Sequence, residues 1–99
     1  MAPKRQKYID RMTRDLGEWT GTIVEYEVRA SRGPIELQPD YERSIRDLEG
    51  KRDLLSNKLE ELKKTDGDAW MDIEAGVETA KHELRDAFET ARLVVRKAA

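Results

Sequence analysis

The chain has 99 residues, of which 40% are charged, with a formal net charge of -2 and no cysteine. That length fits one domain. The charge balance removes any global pull toward nucleic acid or anionic lipid, and the lack of cysteine excludes disulfides and thiol chemistry. About half of the residues are Ala, Glu, Lys, Leu or Arg, the composition of long helices and coiled coils.

The basic start, Met1 to Asp10, has no apolar run behind it and does not read as a secretory signal. Ile9, Met12, Leu16, Trp19, Ile23, Tyr26 and Ala30 then repeat at alternating steps of three and four, one apolar seam on a helix over residues 3–31. Thr22 to Val28 is weak helix material and could read as a strand. The unbroken stripe favours helix, with Gly17 and Gly21 off the seam. Ser31-Arg32-Gly33-Pro34 ends the helix, Gly33 being suited to a left-handed residue past a helix end. Ile35 and Leu37 are expected to cover the end of the bundle.

Pro39 and Asp40 open a second helix over residues 39–64. Its seam is Tyr41, Ile45, Leu48, Arg52, Leu55, Leu59 and Leu62. Arg52 on a seam reads as a stem that packs while its head reaches a nearby acid, or as a buried pairing that fixes register. Glu42–Arg46, Asp47–Lys51 and Glu60–Lys64 have the spacing of surface ion pairs.

Thr65-Asp66-Gly67-Asp68 has the pattern of a capping box around a weak point. A third helix over residues 68–97 carries the seam Trp70, Ile73, Val77, Ala80, Leu84, Ala87, Ala91 and Val94. The fold class that follows is all-α, an antiparallel three-helix bundle of helical coiled-coil type. The alternative is a helical hairpin whose second helix runs on through residues 65–68 as a stutter, which would need a dimer to cover its seam.

His82 is the single histidine and falls outside the seam. Glu78 and Asp86 lie four residues either side, but the Glu-x-x-His pattern of di-iron bundles is missing, so a solvated histidine and no metal site are expected. No phosphate loop or nucleophile–base pair is present, and a narrow charged bundle offers no cleft for paired acids; neither catalysis nor a cofactor is expected. Lys4, Arg5, Lys7, Arg11 and Arg14 form one basic cluster, and Arg92, Arg96 and Lys97 another. The first should lie beside Asp66, Asp68, Asp72 and Glu74, balancing charge within the fold; the other reading is contact with an anionic surface. Trp19 and Trp70 are read as core anchors, the alternative being a Trp70 exposed to dock a partner helix.

Tyr41, Ile45, Leu48 and Lys51-Arg52-Asp53, then Lys58 to Lys63, Gly67-Asp68-Ala69-Trp70 with Asp72, and Gly76-Val77-Glu78 followed by Glu83-Leu84 and Ala87-Phe88, form a pattern. Over about residues 39–91 it resembles a family of small bacterial proteins labelled stress-response or uncharacterised coiled-coil proteins, cyanobacterial members among them. Gly67 to Asp72 and Gly76 to Glu78 are its most specific part. The resemblance implies a helical protein, stress-associated, without catalytic residues. The function expected is therefore a non-enzymatic, cytoplasmic helical protein acting through helix–helix contact with itself or with a helical partner. The second reading is a peripheral binder of an anionic surface, nucleic acid or membrane, through Lys4, Arg5, Lys7 and Arg11.

Overall fold

The computed structural model describes residues 3–96. They form three helices, α1 (Pro3–Ser31), α2 (Gln38–Lys63) and α3 (Ala69–Arg96), with one 3₁₀ turn (Ile35–Leu37) ahead of α2. The result is a rod of 51 × 18 × 16 Å. Short connections make α1 and α3 run parallel to each other and antiparallel to α2. No strand occurs among the described residues: Thr22 to Val28 is helical.

The seams meet along the rod axis, since burying them is what keeps such helices in water. Ile9, Met12 and Ile23 of α1, Leu48, Leu55, Leu59 and Leu62 of α2, and Trp70, Val77, Leu84 and Ala91 of α3 form one cluster. Small seam residues on α3, among them Ala80, Ala87 and Ala91, let α2 come close. α1 stands farther from α3, spaced by rings: Tyr8 meets Trp70 edge to face with centroids 6.5 Å apart, and Tyr26 meets Phe88 at 6.1 Å. The same number of residues separates Tyr8 from Tyr26 and Trp70 from Phe88, so the two parallel helices stay in step over about five turns.

The third seam departs from expectation at its end. Val95 is buried and Val94 only half-buried. A straight helix turns 3.6 residues per turn and drifts off a strict heptad, so the last step is four and not three.

Between α2 and α3 the helix breaks, and the long-helix alternative fails. At the end of α2 the Lys64 N–H donates to the Glu61 carbonyl at 3.2 Å and the Thr65 N–H to the Leu62 carbonyl at 3.1 Å. Gly67 has φ +66, a left-handed residue that reverses the chain. The capping box does not form: the Thr65 hydroxyl turns back and donates to the Glu61 carbonyl at 2.7 Å. Threonine thus helps close α2 and does not open α3.

At the α1–α2 turn Gly33 has no positive φ, contrary to the reading of its position. Its need for glycine is one of space. A Cβ there would lie 2.7 Å from Cε2 of Tyr41. Ile35 does not cover the bundle end either; it is 79% exposed, and Leu37 is half-buried. Tyr41, 1% exposed, fills that end with its ring.

Arg52 is half-buried and its guanidinium bonds Asp53 at 2.9 and 3.0 Å, so the stem packs and the head leaves the seam. Of the expected surface pairs, Asp47–Lys51 forms at 3.0 Å, while Glu60 takes Lys63 and not Lys64. Glu42–Arg46 is not among the ion pairs of the described residues; at this exposure such pairs decide little.

Candidate interaction surface

A group of interacting polar and aromatic side chains lies where the start of α1 passes the α2–α3 break. The Trp70 indole opens α3 and is 5% exposed, packed in the cluster with Ile9, Met12, Leu59 and Leu62. The Arg5 guanidinium covers it, 4.8 Å from the ring centroid, and donates a long hydrogen bond of 3.5 Å to the Gly67 carbonyl. Tyr8 stacks edge-on against the same ring and donates its hydroxyl hydrogen bond to the Glu78 carboxylate. Burial first, then that hydrogen bond and the negative charge of Glu78 and Glu74, push the Tyr8 phenol far above its ordinary value, while Arg11 pulls the other way.

This arrangement bears on two expectations. Trp70 is a core anchor, roofed by Arg5 and Tyr8, and the alternative of an exposed docking residue falls. The first basic cluster lies beside the opening of α3 as expected, Arg5 meeting the indole and the Gly67 carbonyl, but no ion pair among the described residues joins it to Asp66, Asp68, Asp72 or Glu74. Lys4, Lys7, Arg11 and Arg14 are exposed along α1. Of the second cluster, Arg92 pairs with Glu89 at 2.9 Å, and Lys97 lies outside the described residues.

Farther along the rod, the ring-spaced side of the bundle opens into a groove of about 270 Å³ between α1 and α3. Trp19, Thr22 and Tyr26 line one wall, Arg85, Phe88 and Glu89 the other. The three rings are half-buried, and Trp19 packs against the core while remaining partly exposed in the groove. Glu89 is held by Arg92, whereas Arg85 has no carboxylate within 4.0 Å among the described residues. A second hollow of about 290 Å³ between the end of α1 and the start of α2 is lined by Glu27, Ala30, Gln38, Tyr41, Glu42 and Ile45, with others.

His82 is exposed, and Glu78, one of its neighbours in sequence, is engaged by Tyr8. Among the described residues no three acids or histidines converge on a point where a metal ion could sit. No described helix is long and apolar enough to cross a membrane.

The sequence pointed to Trp70, Lys4, Arg5, Lys7 and Arg11; the structure brings together only Arg5 and Trp70. It adds Tyr8 and Glu78 at one end and Tyr26, Phe88 and Arg85 at the groove. The equal spacing of Tyr8–Tyr26 and Trp70–Phe88 was the available signal for the ring pairs. These features define the class: an all-α, antiparallel three-helix bundle with an aromatic groove on one side. No protein family matches the chain, and neither does any curated protein or solved structure.

Proposed function

We propose that this chain is a non-enzymatic helical interaction protein that works by helix–helix contact with a protein partner. The observation that carries the reading is the α1–α3 groove. Half-buried aromatic rings beside a cation are the kind of surface that gives protein interfaces most of their binding energy. Its occupant is a partner helix carrying an aliphatic side chain with a carboxylate about one turn away. The aliphatic group would enter between Trp19 and Phe88, and the carboxylate would meet Arg85, which has no carboxylate within 4.0 Å among the described residues. A stress-associated role and a cytoplasmic location belong to the same proposal, the former resting on the resemblance at Gly67 to Asp72 and Gly76 to Glu78.

Affinity capture from stressed cells with the wild type and with Phe88→Glu, the two matched for helicity by circular dichroism, tests this. Proteins held by the wild type and released by the variant, and binding again once purified, support the groove. Identical captured sets for both reject it.

The second reading, an anionic surface met through exposed Lys4, Lys7 and Arg11, is separated by salt. Phosphate and headgroup contacts weaken steeply as salt rises, whereas burial of apolar side chains does not.

A further inference from the structure

The α1–α2 turn combines a close approach that glycine satisfies with one cost, a polar group left without a partner. Tyr41 lays its ring over Gly33 so closely that a Cβ there would lie 2.7 Å from Cε2 and 2.8 Å from the hydroxyl oxygen and would have to push the ring aside. Its hydroxyl is buried there with no protein group in hydrogen-bond reach. A buried hydroxyl without a partner favours any rearrangement that returns it to water. Against this, the turn is held by Gln38, whose side-chain amide donates to the Ala30 carbonyl at 2.8 Å and the Gly33 carbonyl at 3.2 Å, and by the backbone bond from Leu37 to Pro34 at 3.1 Å.

Everything else that binds α1 to the bundle is a contact between α1 and the α2–α3 pair: the seam, the Tyr8–Glu78 hydrogen bond, the Arg5 roof over Trp70 and the Tyr26–Phe88 rings. Each of these forms equally well if α1 lies on the α2–α3 pair of another copy. The closed chain and such an exchanged pair differ only at the connection, and the balance between them is set there.

We propose that Arg32 to Gln38 is a hinge through which the chain exchanges α1 with a second copy of itself, giving a domain-swapped dimer in equilibrium with the closed monomer. Opening the hinge lifts the Tyr41 ring from Gly33 and lets its hydroxyl reach water. Concentration therefore controls whether the α1–α3 groove is built from one chain or from two.

Two variants move the equilibrium in opposite directions. Gly33→Ala drives a Cβ into the Tyr41 ring, penalises the closed turn, and lowers the dimer dissociation constant by at least about tenfold. Tyr41→Phe removes the stranded hydroxyl, favours the closed turn, and raises that constant by about tenfold. Light scattering over a concentration series reads both. In an equal mixture of ¹³C-labelled and unlabelled protein, isotope-filtered contacts between Tyr26 and Phe88 must then run between chains in the dimer. The proposal is overturned if wild type and Gly33→Ala stay monomeric at every concentration reached. It is also overturned if the two variants shift the equilibrium in the same direction, or if the dimer keeps Tyr26–Phe88 contacts within one chain. Should Gly33→Ala fail to fold, a Tyr41→Phe protein no more monomeric than a dimerising wild type overturns it alone.

Discussion

Tyr8 donates its phenolic hydrogen bond to the Glu78 carboxylate, the one direct hydrogen bond between α1 and α3 among the described residues. The phenol keeps its proton more firmly in the folded chain than a free tyrosine does, because burial and the neighbouring carboxylates oppose the phenolate. The unfolded chain releases that proton near the ordinary value of about 10. Stability from this bond is therefore complete below about pH 10 and falls as pH rises beyond it. Chemical denaturation of wild type and Tyr8→Phe across alkaline pH should show the wild type losing more stability than the variant; parallel curves would contradict the account.

Trp70→Ala should cost about 3–5 kcal/mol, the usual loss on emptying a large buried aromatic site. The indole holds the start of α3 against Ile9, Met12, Leu59 and Leu62 and supports Arg5. A domain of this size has about 5–15 kcal/mol in total, so the loss will be plain in a denaturant titration. Leu93→Ala, at a side chain 55% exposed, is the control and should change stability by no more than about 0.5 kcal/mol.

Gly67→Ala should destabilise by about 1–2 kcal/mol, since a Cβ is disfavoured in the left-handed conformation. A Cβ there meets nothing within 4 Å, so the cost is confined to the backbone. Gly67→Asn, which tolerates that conformation better, should lose less; equal losses would place the cause elsewhere.

Gly21→Ala should do the opposite and stabilise by about 0.5–1 kcal/mol. The position is helical and exposed, with open space around the new methyl, so only the helix preference of alanine is felt. A rise in thermal midpoint checks it.

The helices and their seams were legible because each burial face repeats at helical spacing, and one periodic signal sufficed from Ile9 to Ala30 and from Trp70 to Ala91. The break at Gly67 was legible as a weak point, since few other residues take a left-handed conformation. What one helix does to another was not. Periodicity says that Tyr8 lies near the edge of its seam, but its meeting with Glu78 depends on the distance that the rings set between α1 and α3. Ile35 misled because an apolar residue in a turn suggests a lid, whereas Tyr41 from the next helix had already filled that space. Thr65 misled in the same way: its hydroxyl could accept from an N–H of the helix ahead or donate to a carbonyl of the one behind, and it donates to Glu61. The groove depends on which seam residues are large and which small across two helices, information that no single stripe contains.

The closed three-helix arrangement is tested most directly by nuclear magnetic resonance of the dilute protein, reading ring–ring contacts together with backbone shifts at Thr65 to Asp68. Contacts from Tyr8 to Trp70 and from Tyr26 to Phe88 are expected, with shifts that leave the helical range at Gly67. Helical shifts running unbroken from Leu62 to Trp70, with no contact between Tyr8 and Trp70, would contradict the closed arrangement.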